Sequence, residues 1–348
     1  MKASTRKLLS IVFLFVTLGL VLFIGFSETD VVDLWGALQK LSWASLLLCL
    51  PGWIGYVLAD SVSIYHFFRR QGHPLSFWYS IRISVIGIYY CNITPGASGG
   101  QPMQIYYLKK ANVPIGVSGS ALTVKFFCFQ LTLLVVGAIL WFTHAEYVTG
   151  HLQGVIWVIL LGYVINFFSI GILLVMAINK QAVRSIITLC IRIGVRIRLC
   201  KDPEKSTKKW EAHCASFLSS VQMIRDNPFD LLVQFLIALV QLLSLMMTIP
   251  LIYHAFGLSG TSLMEQLTMG VLLYISASYT PLPGASGAQE GGFAVFFQGI
   301  FPSGYLFVAL LVWRFCTYYI SLIVGVLLTI GQGLFSSLRG KSLPKNKG

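Results

Sequence analysis

The chain has 348 residues, of which 56% are hydrophobic and only 11% charged, whereas soluble domains run at roughly 45–50% apolar and about 25% charged. A soluble globule is therefore excluded and a polytopic membrane protein is expected. The net charge of +13 is not a nucleic-acid signal, because the Lys and Arg residues gather between apolar runs, as the positive-inside rule requires.

Lys2, Arg6 and Lys7 precede an apolar run from Leu8 to Phe26. The run is long enough to span, at about 20 residues, and no small-x-small cleavage site follows it. It is expected to be the first transmembrane helix. Further apolar spans fall at 43–68, 76–93, 114–142, 153–178, 229–256, 266–282 and 304–335. Two shorter apolar pieces, 101–108 and 289–301, are too short to cross a bilayer of about 30 Å as helices.

Loop charge orients these segments. The basic N-terminus, Arg69 with Arg70, Lys109 with Lys110, and the tail with Arg339, Lys341, Lys345 and Lys347 are expected in the cytosol. Glu28, Asp30 and Asp33 mark an outer loop. The segment 179–227 carries ten Lys and Arg residues alternating with apolar ones. It is expected to be a cytosolic amphipathic connector lying on the anionic inner leaflet.

The segment Pro95-Gly96-Ala97-Ser98-Gly99-Gly100-Gln101 recurs as Pro283-Gly284-Ala285-Ser286-Gly287-Ala288-Gln289. Proline and glycine break a helix, and broken backbone at membrane depth is tolerated only where protein or a wet cavity surrounds it. Each motif is therefore expected at the tip of a re-entrant hairpin, over 94–108 in the first half of the chain (1–150) and 281–301 in the second (229–335). By the loop charges, the first hairpin enters from the cytosol and the second from outside. That is an inverted-repeat topology with a site near the midplane.

Ser98 with Gln101, and Ser286 with Gln289, fit the S-x-x-Q capping box. Two helix N-termini meeting at the midplane would offer N–H groups and partial positive charge to a phosphate. Pro102 would lose a hydrogen bond at a fourth helical position, so that helix is expected to start a little later. Glu290 follows the second motif, and Arg314 lies inside the last span as a partner for Glu290 or for a phosphate. Lys125 and Asp60 are further charges within spans, and Arg82 is expected to snorkel to the cytosolic end. Asn92, Thr94, Tyr279 and Thr280 are candidates for a polar path. The tyrosine pairs 89–90, 106–107 and 318–319 read as packing or interface residues. The substrate-binding candidates are thus Pro95, Gly96, Ser98, Gly99, Gln101, Lys125, Pro283, Gly284, Ser286, Gly287, Gln289, Glu290 and Arg314.

The seven cysteines are scattered without CxxC pairs and are expected to be free thiols. His144 and His151 flank an outer loop without further ligands at metal spacing, so no metal or cofactor is expected. Walker A and HExxH signatures are absent from the sequence, and no GxSxG nucleophile elbow between a strand and a helix is expected.

The stretch Pro281-Leu282-Pro283-Gly284-Ala285-Ser286-Gly287-Ala288-Gln289-Glu290 resembles the Pro-x-Pro-Gly-x-x-Gly-x-x-Glu motif of the lysylphosphatidylglycerol synthase/flippase transmembrane family. Arg314 with Tyr318 and Tyr319 is similar to that family's last-span arginine and tyrosines, and Thr94–Gly100 to its first half-motif. The likeness covers residues 5–335. It implies movement of an anionic or aminoacylated phospholipid, such as lysylphosphatidylglycerol, between leaflets of a bacterial inner membrane, with protection against cationic peptides. Full-length synthases of the family add a soluble aminoacyltransferase domain. This chain stops at Gly348, so lysyltransferase activity is the alternative and not the leading expectation. A separate synthase and a second copy of the chain are further candidate partners. The fold expected is all-α, with about eight transmembrane helices and two re-entrant hairpins.

Overall fold

The computed structural model describes residues 49–179 and 227–329, together with isolated positions 19, 47, 181, 185 and 222. The expected first span, nearly all of the basic connector, and the tail lie outside the described residues.

α1 (Leu50–Arg70) begins with Pro51 in its first turn, where a missing N–H costs nothing. It ends on Arg69 and Arg70, cations that suit the negative end of a helix dipole. α2 (Phe77–Asn92) is capped by Ser76, whose hydroxyl accepts the Tyr79 N–H at 3.2 Å. A tight turn at Pro95–Ala97 leads to α3 (Gly100–Lys110), which packs back on α2. The hairpin closes through small residues: a Cβ on Gly87 would strike Gln104, and one on Gly100 would strike Cys91. The Gln104 amide meanwhile donates to the Ile83 carbonyl at 3.1 Å.

α4 (Ile115–Thr143) has 29 residues, about 43 Å at 1.5 Å per residue. The expected loop at 143–152 is instead helical: α5 (Ala145–Leu152) carries His151 and leads through a short turn into α6 (Ile156–Ile178). Leu152 and Val148 are buried in the core, and that burial makes helix the better solution there. The span expected at 229–256 is two helices, α7 (Pro228–Met246) and α8 (Thr248–Ala255). Pro250 has no N–H for the Met246 carbonyl, which interrupts the hydrogen-bond ladder at Met247 without ending the span. α9 (Leu263–Ala277), a turn at Pro283–Ala285 and α10 (Ala288–Phe297) form a second hairpin. α11 (Ser303–Arg314) runs into a π-helical turn, Phe315–Tyr319, and on to Thr329.

Every regular element among the described residues is helical, and the chain is an all-α membrane protein. Four helical stretches are long and apolar enough to cross a bilayer: Ile115–Thr143, Ala145–Ile172, Pro228–Ala255 and Gly304–Thr329. The segments 76–93 and 266–282, expected as spans, are the 16- and 15-residue first arms of the two hairpins. Their length is about 24 Å at most, short of a full hydrocarbon core.

α4 organises the packing. Val117, Ala121 and Val124 in its N-terminal half pack with Ile64, Phe68, Ile83 and Leu108 of α1, α2 and α3. Its C-terminal half meets the second hairpin: Leu133 shares a core with Val271, Leu272 and Phe293. A Cβ on Gly137 would come 2.5 Å from Ile275. Phe129, near its centre, stacks edge-on against Tyr274 at 6.3 Å. The two hairpins thus lie along opposite halves of one long helix, tip towards tip.

Candidate functional site: two facing turns and a buried ion pair

The repeated sequence makes the same turn twice. Gly96 and Ala97 have φ of 57° and 55°, and Gly284 and Ala285 have 61° and 51°. In each copy the alanine N–H donates back three residues, to Thr94 O at 3.2 Å and to Leu282 O at 3.0 Å. In each, the serine hydroxyl donates to the proline carbonyl at 2.9 Å. Glycine adopts the left-handed conformation freely, but alanine there costs roughly 1–2 kcal/mol. Both turns retain that cost, and they touch one another.

The serines are not helix caps. Ser98 and Ser286 spend their hydroxyls on Pro95 and Pro283, and the helices start one residue later, at Gly99 and Gly287. Gln101 and Gln289 therefore reach back to no cap, and Gln104 is the glutamine that closes the first hairpin. The shift puts Pro102 third in α3, where its missing N–H breaks no bond. The full capping box forms elsewhere, between Ser262 and Glu265 at the start of α9.

After the serines the copies diverge. Thr94 ties the first turn, accepting the Gly99 N–H at 2.8 Å and donating to Tyr90 O at 2.6 Å. The second turn is tied by charge. Glu290 accepts the Gly287 N–H at 2.7 Å, so its carboxylate neutralises the start of α10. Its other oxygen takes Arg314 Nε at 2.7 Å and Nη2 at 2.6 Å. The same Nη2 donates to Gly284 O at 3.2 Å. Arg314 thus holds both ends of the second turn. Both side chains are buried, at 5% and 2% exposure. An unpaired charge there would be costly.

Tyr318 is the residue sequence reasoning undervalued. It is 3% exposed. The Arg314 guanidinium lies 5.0 Å from its ring centroid. Its ring fills the space that a Cβ on Gly284 would occupy. Its hydroxyl donates to Asn92 O across the junction at 3.5 Å. The π-helical turn at 315–319 adds a residue to the helix and displaces the side chains beyond Arg314, a device common at functional sites. The Arg-x-x-x-Tyr spacing was visible, but the π turn that aims it was not.

A second ion pair lies beside the first hairpin. Lys125 Nζ donates to Asp60 Oδ1 at 2.9 Å and Oδ2 at 3.0 Å. Ser84 and Gln241 complete the carboxylate at 2.7 and 3.1 Å. Arg82 is half-buried, and its Nε has no hydrogen-bond partner; its guanidinium lies 5.9 Å from the Tyr79 ring. Tyr279 accepts from Gln130 at 2.9 Å and so joins the second tip to α4.

The turns differ in exposure. Pro95, Gly96, Ser98 and Gln101 are exposed and Gly99 half-buried. Pro283, Gly284 and Gly287 are half-buried, and Ser286 and Gln289 are each 8% exposed. The first helix start carries no acidic residue in its first turn, whereas the second carries Glu290. The described residues hold no cluster of three or more His, Cys, Asp or Glu able to take a metal ion. Cys49, Cys91, Cys128 and Cys316 form no disulfide among the described residues.

An all-helical fold with apolar spanning helices and two broken helices meeting at its centre defines an integral membrane protein. The chain belongs to the family described as the lysylphosphatidylglycerol synthase TM region, whose model matches residues 8–325. It is also similar to a UPF0104 membrane protein of Archaeoglobus fulgidus (strain ATCC 49558 / DSM 4304 / JCM 9628 / NBRC 100126 / VC-16). The two are 23% identical over 318 residues, covering 87% of this chain and 90% of that protein.

Proposed function

We propose that the protein carries a phosphate-bearing lipid, such as phosphatidylglycerol or its lysyl ester, between the leaflets of a bacterial inner membrane. The observation that carries this is the pair of Pro-Gly-Ala turns with matching backbone, meeting tip to tip from opposite halves of α4. Opposed broken helices are the architecture expected of alternating access, with substrate bound where they meet. The two hairpins are then re-entrant from opposite faces, and both termini are cytosolic by loop charge.

The site divides the work. The first turn is exposed and has no acid in its first helical turn, so it is the end that receives a phosphate. The second is closed by Glu290 and Arg314. When the site switches, that pair exchanges partners: Arg314 grips the phosphate through its planar fork, and Glu290 takes a headgroup amine where the lipid carries one. At the cytosolic end of the first hairpin, Lys110 Nζ stands 4.5 Å over the Tyr106 ring. Lys110 places a cation at the anionic leaflet.

The test is leaflet exchange of fluorescent phosphatidylglycerol and of its lysyl ester in proteoliposomes. Exchange by the wild type that Glu290→Gln loses, with the variant still monodisperse, is the expected result. Equal rates in both would overturn the assignment of Glu290 and Arg314 to the transport step. Resistance of whole cells to cationic peptides should fall with the same variant if the exchanged lipid is aminoacylated.

A further inference from the structure

The Asp60–Lys125 pair takes no part in the transport step proposed above, yet it is anchored on the first hairpin through Ser84. Lys125 is about a third of the way along α4, one helical turn before Phe129, which packs on Tyr274 of the second hairpin. Asp60 accepts from Ser84 of α2, two helical turns before Cys91, whose thiol donates to Ala97 O in the first turn at 3.4 Å. The pair therefore sits roughly 10 Å along α2 from the residue that touches the exposed tip.

Its two members are unequally accessible. The Lys125 side chain is 18% exposed and that of Asp60 6%. Of the two, the lysine is the more accessible to an approaching anion. Lys125 uses two of its three N–H donors on Asp60. Apart from Lys125, the donors on Asp60 are neutral: the Ser84 hydroxyl and the Gln241 amide. Once a phosphate takes the ammonium, the carboxylate is left in a low-dielectric interior with neutral donors alone. Burial without a counter-charge favours the protonated acid. Ser84 can then reverse its hydrogen bond, because a hydroxyl both donates and accepts.

We propose that Asp60 and Lys125 form a proton-linked anion site, in which a phosphate that engages Lys125 displaces Asp60 and Asp60 takes up one proton from water. The proton leaves again when the phosphate departs and the ion pair re-forms. Charge stays balanced inside the site at each stage, and anion transfer is tied to proton movement. The identity of the anion as a lipid headgroup rests on the proposed transport function; the linkage itself does not. Other titratable groups near Asp60 are Tyr56 on its own helix and Cys91 on α2, with Tyr274 of α9 beside both of them.

The test is calorimetric titration of the purified full chain in non-ionic detergent with dihexanoyl phosphatidylglycerol, in two buffers of different ionisation enthalpy. The wild type should take up about one proton per lipid bound, and its affinity should fall by up to about tenfold per pH unit as pH rises. Asp60→Asn should bind without proton uptake and with pH-independent affinity. Asp60→Asn leaves Lys125 unpaired, so the variant Asp60→Asn/Lys125→Gln, with no buried charge to strand, serves as a second probe. It should take up no proton and bind more weakly than Asp60→Asn alone. Binding by the wild type without uptake, or uptake that survives in either variant, overturns the proposal. Absence of binding by the wild type overturns it as well. Leaflet exchange measured separately in proteoliposomes then tells whether the transport function survives.

Discussion

Gly96 and Gly284 occupy equivalent places in the two turns, but different surroundings. Both have positive φ, so alanine at either costs about 1–2 kcal/mol. A Cβ on Gly96 meets nothing within 4 Å, whereas one on Gly284 strikes the Tyr318 ring. Gly284→Ala should therefore lower the thermal unfolding temperature in detergent far more than Gly96→Ala. Equal shifts would show that Tyr318 yields freely. The ion pair makes a second contrast. Arg314→Ala strands a buried carboxylate and Glu290→Gln strands a buried guanidinium, each a loss of about 3–5 kcal/mol. Replacing both, as Glu290→Gln/Arg314→Met, leaves no charge to strand. The double variant should be more stable than either single one, and additive losses would argue against a coupled pair. Both charges were visible in the sequence as ionisable residues within apolar runs. Their geometry was not, since Glu290 and Arg314 lie 24 positions apart and are joined only when the second hairpin folds against α11.

Several helix contacts here are closed by glycines, as expected where lipid is as apolar as a leucine side chain. Gly52 and Gly55 bring α1 against Ser244 and Thr248 at the α7–α8 junction. Gly162 of α6 faces the Ile275 carbonyl, which a Cβ would approach to 2.7 Å. Backbone cannot move aside as a side chain can, so Gly162→Ala should separate α6 from α9 and destabilise the fold. Gly171, on the same helix, has nothing within 4 Å. Gly171→Ala should be neutral or stabilising by up to about 1 kcal/mol through helix propensity. Thermal melts of the two variants check this, and a silent Gly162→Ala would mean that α6 packs more loosely than described. The sequence predicted the longer helices well, because a bilayer-length apolar run has one outcome. It misjudged 143–152, where a short buried helix decides the local path, and it did not foresee the interruption at Met247 within the span 228–255.

The asymmetry between the tips has a direct readout. Ser98 is exposed and Ser286 is 8% exposed, although both stand at the same step of the same turn. Cysteine at 98 should react quickly with a water-soluble maleimide, counted by mass above the native thiols, and cysteine at 286 should react slowly. Reversal of that order would mean that the second tip is the open one. Addition of short-chain phosphatidylglycerol should slow labelling at 98 if the first turn receives the phosphate.

Composition, apolar run length and the duplicated Pro-Gly-Ala-Ser motif were enough to establish a helical membrane protein with two broken segments. These signals are local and repeated, so they need no knowledge of folding. The sequence also flagged the charges on which a site would be built. It assigned the helix caps to Ser98 and Ser286, because the capping pattern ignores the carbonyl one turn back that competes for the hydroxyl. It placed Tyr318 among packing residues, because a π turn has no sequence period to detect. Which charge pairs with which, which tip is open and what fills the space between the turns were set by packing along α4, where distant segments meet.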